Sequence, residues 1–252
     1  MLTFRKIFNF YIQSSIHVGI AVFCLVQLSV QQWSSYSFLV LFGTIVGYNF
    51  LKYFELFRKG NFHKPKYYAI VIVCLLAIPG YMFFYLRMIN EIKIQLIIAG
   101  FMVMLYPFLR KYGILKMFWV SFVIAYLTAF LFINELPGFE GSIVLEFLRR
   151  FVFVSALMIP FEILDSSKDA VAMKTLPHCF GIARTKQIGY VLVGLFLTIS
   201  IFLLNNIYFF AFAALSSLIA IYFSTEKRSW YYTSFWVESL PIFWLLVLLF
   251  FK

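Results

Sequence analysis

Acidic residues are scarce: the 252-residue chain has 10 Asp and Glu against 21 Lys and Arg, and charged residues together make up only 12%. Soluble domains carry about 25% charged residues, so a water-soluble globule is excluded. Cysteine is almost missing as well. Cys24, Cys74 and Cys179 are scattered, odd in number and without metal-ligand spacing, which argues against a disulfide framework or a zinc site. Long polar stretches are also lacking, so neither a disordered region nor a soluble domain has room in the chain.

What the chain has instead is 63% apolar residues, with 34 Phe, 16 Tyr and 5 Trp, and a mean hydropathy of +0.93. Such a composition predicts an integral membrane protein. A helix crossing hydrocarbon needs about 20 mostly apolar residues. Charge clusters and turn residues divide the sequence into nine candidate spans, near 8–30, 36–57, 67–86, 93–109, 114–133, 143–164, 187–204, 207–223 and 232–251. The apolar runs are too long and unbroken for barrel strands, which alternate over about ten residues. The expected fold is all-α: one polytopic domain over 1–252, a bundle of nine transmembrane helices. The basic start followed by an apolar run resembles a signal peptide, but the run is too long and no small-residue cleavage site follows. It is read as a retained first span.

Lys and Arg alternate between the two sides of this arrangement. The N-terminus and the connectors at 58–66, 110–116, 165–186 and 224–228, with Lys52, hold 16 of the 21. The positive-inside rule then places the N-terminus in the cytoplasm and, after nine crossings, the C-terminus outside a cell inner membrane. The excess of basic charge is mostly a topology signal, with some attraction for anionic head groups. Nucleic acid is not expected as a partner, because the cations are spread over short loops without a binding motif. A transporter is not expected either, since no inverted repeat or paired broken spans are visible.

Ionisable groups at membrane depth are costly and mark candidate sites. Two stretches concentrate them: Gly47 to Gly60 after the second span and Phe161 to Lys186 after the sixth. Asp165 and Asp169 are four residues apart, so on a helical end they share one face. Two carboxylates held so close repel unless a cation lies between them. Mg²⁺ suits that place, since it takes one or two carboxylates together with phosphate oxygens. Lys174 and Arg184 follow closely enough to hold remaining phosphate charge. The same spacing also fits a plain helix end with solvated aspartates beside Lys168. Glu162 either joins the site or pairs with Lys168. Within the sixth span, Glu146 and Arg150 have the i,i+4 spacing of an internal ion pair, with Arg149 beside them. An outer-leaflet head-group site is the other use of these arginines.

The stretch Asp165, Asp169, Lys174-Thr175-Leu176-Pro177 and Gly181 resembles the second aspartate-rich loop of the UbiA-type intramembrane prenyltransferases. Tyr106-Pro107-Phe108-Leu109-Arg110-Lys111, at the end of the fourth span, is similar to a second motif of that superfamily. The resemblance implies a UbiA-like bundle with a central cavity and Mg²⁺ as cofactor. The implied partners are a prenyl diphosphate, a lipophilic or phosphorylated acceptor, and membrane lipid. Asp165 and Asp169 would bind metal, Lys174, Arg110 and Lys111 would contact the diphosphate, and Asn49 would orient the donor.

The first loop departs from the superfamily pattern. Asn49 is present, but Phe50, Tyr53 and Phe57 occupy the aspartate positions, and Glu55 is the one carboxylate, off register. Lys52, Arg58 and Lys59 make this stretch basic. They are expected either to replace a second metal at the leaving group or to anchor topology, with Lys52 and Glu55 pairing. The implied activity is Mg²⁺-dependent transfer of an isoprenyl group. The alternative is a catalytically silent relative of the same fold that binds isoprenoid or lipid, or serves as a subunit of a membrane complex.

Overall fold

Inside hydrocarbon no water is available to bond a backbone N–H or C=O, so apolar runs of this length satisfy those groups internally, as helices. The computed structural model describes residues 2–30, 33–60, 64–130, 142–167, 174–203 and 207–250. Among these the structure is all-helical, without a strand. In chain order the helices are α1 Leu2–Gln13, α2 Ile16–Val30, α3 Ser35–Arg58, α4 Pro65–Leu86, α5 Asn90–Leu109, α6 Gly113–Ala125, α7 Ile143–Asp165, α8 Leu176–Phe202, α9 Ile207–Tyr222 and α10 Leu240–Phe250. Wide π turns continue α6 over Tyr126–Phe130 and precede α10 over Tyr232–Val237.

Six of these segments are long and apolar enough to cross a membrane: α3, α4, α5, α6 with its π turn, α8, and α10 with its π turn. The bent pair formed by α1 and α2 would make a seventh. The chain is therefore a multi-pass membrane protein. The other two expected spans fall outside this set for visible reasons. Helix α9 is 16 residues long, and α7 carries Glu146, Arg149 and Arg150 in its first half. Leu76, Ile97 and Phe202 are exposed large apolar side chains; they are costly in water and ordinary against lipid.

Two helices differ from their expected outlines. The first span, expected as 8–30, is broken at Ser14–Ser15, where α1 and α2 meet at a 55° bend. Ser15 there adopts a left-handed backbone with φ 61°. Helix α8 begins at Leu176, well before the expected 187, because Pro177 suits a first turn and Thr175 stands at its N-cap. The early part is joined to the rest by Gly181, whose φ of 78° and ψ of 163° are open to glycine and strained for other residues.

The chain divides into two compact units, Met1–Pro107 and Phe108–Lys252. In the first, α3 packs against both α2 and α4. Gly19 permits the close approach of α2: a Cβ there would lie 2.8 Å from Ile45 Cγ1 and 3.3 Å from the Leu41 carbonyl oxygen. Such small-residue seams are how membrane helices pack without a hydrophobic driving force between them. In the second unit α7 is central, touching α6, α8 and α9, and most of its residues are buried. Phe153 of α7, Phe196 of α8, Phe210 of α9 and Trp244 of α10 form one aromatic core, with ring centroids 5.0 to 6.0 Å apart.

Candidate functional site

Within the second unit, the polar residues that the sequence singles out gather at the C-terminal end of α7 and the start of α8. Glu162 is 3% exposed and meets Lys116 of α6 at 3.4 Å. Its partner is thus a lysine 46 positions earlier in the chain, on a neighbouring helix. Lys168, the partner considered from sequence, lies outside the described residues. Asp165 is half-buried in the last residue of α7. That last turn contains no basic residue, so the carboxylate adds to the partial negative charge of the helix terminus. A cation is favoured at such a place.

Ser166 follows as the C-cap. Its hydroxyl lies 2.7 Å from Glu226 Oε1 and 2.8 Å from the Ile163 carbonyl oxygen, and its one proton serves one of them at a time. The Ser166 carbonyl, 2.9 Å from His178 Nε2, can only accept. Nε2 therefore carries a proton, and in the neutral ring the Thr175 hydroxyl donates to Nδ1 at 3.0 Å. This chain of bonds ties the end of α7 to the beginning of α8. Thr175, Leu176 and Pro177 are buried within it, whereas Lys174 is exposed, with φ 50°. In the Lys174-Thr175-Leu176-Pro177 motif, the last three residues thus seat the helix and the lysine is the one available to a ligand.

Glu226 and His178 are the members of this cluster that the sequence does not reveal as partners. Glu226 is 60 positions from Ser166, and no periodicity links a short connector to a distant helix end. Asp169, the other half of the aspartate pair, lies outside the described residues. Arg110 and Lys111 are exposed in the turn before α6, with Lys111 Nζ 5.0 Å from the Tyr112 ring centre.

The expected first-loop residues lie on α3, in the first unit, and several are bound up in its own structure. The Asn49 side chain is 3% exposed. Its Oδ1 accepts from Ser15 Oγ and its Nδ2 donates to the Ser14 carbonyl, both at 2.7 Å. One turn on, the Tyr53 hydroxyl and Lys52 Nζ donate to the Gln13 carbonyl at 2.8 and 3.4 Å. Asn49, Lys52 and Tyr53, at i, i+3 and i+4 on α3, thus cap the C-terminal carbonyls of α1. Glu55 pairs with Arg58 at 2.8 Å rather than with Lys52, whose ammonium turns toward Gln13. Lys59 is exposed beyond the end of α3.

At the other end of α7, Glu146 faces both arginines. Arg149 is the closer partner, and Arg150 stands 3.6 Å from the other carboxylate oxygen. The i,i+4 pair expected from sequence is therefore the longer of two. Arg149 lies 4.3 Å over Phe210 and Arg150 5.8 Å from Trp244, so the cluster closes one end of the aromatic core. Cation–π contact favours these positions.

Of the two carboxylates expected to hold Mg²⁺, Asp165 alone lies among the described residues. Hard carboxylate oxygen at a negatively polarised helix end suits the ion, while Glu162 and Glu226 are engaged by Lys116 and Ser166. Among the described residues no group of three or more His, Cys, Asp or Glu side chains could hold a metal. Comparisons with protein-family models, with curated proteins and with solved structures return no match.

Removing the ammonium from the Lys116–Glu162 pair tests its structural weight. Lys116→Met is expected to lower stability by about 1–3 kcal/mol, because a buried carboxylate loses its cation. The check is thermal unfolding in detergent micelles, with Glu162→Gln in the same background recovering much of the loss.

Proposed function

We propose that the chain transfers an isoprenyl group from a prenyl diphosphate to a lipophilic or phosphorylated acceptor within the membrane, as a divergent relative of the UbiA-type prenyltransferases with nine spans around a cavity. The single observation that carries this function is the junction of α7 and α8, where Asp165 ends α7 and the motif resembling the superfamily follows with Lys174 exposed and Thr175, Leu176 and Pro177 buried. In this reading Asp165 and Asp169 hold Mg²⁺, which when bound neutralises diphosphate charge and polarises the leaving group. Lys174, with Arg110 and Lys111 as further candidates, stabilises the negative charge that grows on the departing diphosphate. The allylic C–O bond breaks with its electron pair leaving on diphosphate, and the acceptor attacks the prenyl carbon and loses a proton. Apolar helices around the reacting carbon keep water from capturing it.

The engagement of Asn49 in the α1–α2 junction favours a second reading, a silent relative that binds an isoprenoid or lipid or serves as a subunit of a membrane complex. Binding of a geranylgeranyl diphosphate analogue to the purified protein, with Mg²⁺ or with EDTA, separates the two. Prenyl transfer predicts Mg²⁺-dependent binding that Asp165→Ala weakens, and pyrophosphate release that falls about 10²-fold in the same variant. Equal binding with and without metal supports the silent relative. No binding under either condition removes both the prenyl donor and the proposed role of Asp165.

A further inference from the structure

We infer that α1 is not part of a membrane crossing but lies on the surface of the bilayer as an amphipathic helix, bound to anionic lipid. The sequence of α1 carries the pattern. Phe4, Ile7, Phe8 and Tyr11 recur at i, i+3, i+4 and i+7, which sets them on one face of a helix. Lys6, Asn9 and Gln13 fall on the opposite face, with Arg5 on its flank. A helix with basic residues on one side and aromatic or aliphatic residues on the other seats itself about 5–10 Å into the boundary between head groups and acyl chains.

The structure adds three observations. Phe4 is 75% exposed and Ile7 63% exposed, so the apolar face of the first turns is not covered by the chain. The 55° bend at Ser14–Ser15 turns α1 away from the line of α2. That bend is built rather than incidental: Asn49, Lys52 and Tyr53 fix its carbonyls, and the Tyr11 hydroxyl bonds His17 Nδ1 across it at 2.8 Å.

Charge complementarity selects the occupant. No Asp or Glu precedes Glu55 in the chain, and the side-chain charges before it are Arg5, Lys6 and Lys52. Arg5 and Lys6 stand near one end of α1, while Lys52 bonds Gln13 at the other. A helix with no acidic residue of its own, cations at both ends and a bare aromatic edge fits a leaflet of anionic lipid. This inference is independent of the prenyl-transfer proposal.

The test places a photoreactive benzoylphenylalanine at position 4, 6, 7 or 9 of the full chain, one at a time, in vesicles of phosphatidylcholine with or without phosphatidylglycerol. Lipid adducts are expected from positions 4 and 7, with few from 6 and 9. Each basic residue near an anionic surface is worth about a fivefold bias, so Arg5→Glu with Lys6→Glu should cut adducts at positions 4 and 7 at least about fivefold in phosphatidylglycerol vesicles. Equal adducts at all four positions would show α1 immersed as a span and overturn the inference. Adducts to a second copy of the chain, or none at positions 4 and 7, would overturn it too.

Discussion

Glu146→Ala is expected to destabilise the second unit by about 3–5 kcal/mol, the cost of taking one partner from a buried charge cluster. The carboxylate is shared by two guanidiniums, and the side chains of Glu146, Arg149 and Arg150 are 5%, 9% and 3% exposed. Nη1 of Arg149 is already buried without a hydrogen-bond partner, so little solvent is at hand to absorb the lost interaction. Thermal unfolding in detergent micelles measures the change. Replacing all three residues together, with Glu146→Leu, Arg149→Leu and Arg150→Met, should recover most of the loss, since apolar substitutes for a buried ion cluster are often neutral or stabilising. A single-variant loss below about 1 kcal/mol, the scale of an exposed pair, would show that water reaches the cluster.

Asn49→Ala is expected to cost about 2–4 kcal/mol and to loosen the junction of α1 and α2. The substitution leaves the buried Ser15 hydroxyl and Ser14 carbonyl without the amide that now bonds both at 2.7 Å; each stranded buried group costs about 1–3 kcal/mol. Ser15 must also keep its left-handed backbone with less to hold it there. Ser15→Gly in the Asn49→Ala background should return part of the stability, because glycine adopts that φ without a Cβ penalty. A role in orienting a prenyl donor predicts a different outcome: diphosphate binding would fall while the unfolding temperature stayed near that of the unsubstituted protein.

The membrane character and most helix limits are legible because they follow from length and apolarity alone. Pro65–Leu86 and Ile207–Tyr222 lie within a few residues of their expected spans. The Ser14–Ser15 break is not legible, since neither proline nor glycine marks it and it is held by a residue 34 positions away on α3. The early start of α8 is hidden for a related reason. His178, Arg184 and Lys186 give that stretch the polarity of a loop, yet His178 bonds Thr175 and Ser166, and Lys186 Nζ donates to the Tyr222 carbonyl at 2.7 Å. Spacing revealed that Glu146 meets an arginine but not which one lies closer, because Phe210 and Trp244 help to place both. In the candidate site, Asp165 and Lys174 announce themselves by motif, whereas Glu226 meets Ser166 and Lys116 meets Glu162 through folding alone.

The cluster on α7 also bears on biogenesis. Glu146, Arg149 and Arg150 of α7 are buried charges that need the partners around them. The rings that cover the two arginines, Phe210 and Trp244, belong to α9 and α10, which leave the ribosome later. Arg149 and Arg150 of α7 therefore gain this cover only after nearly the whole chain has been made.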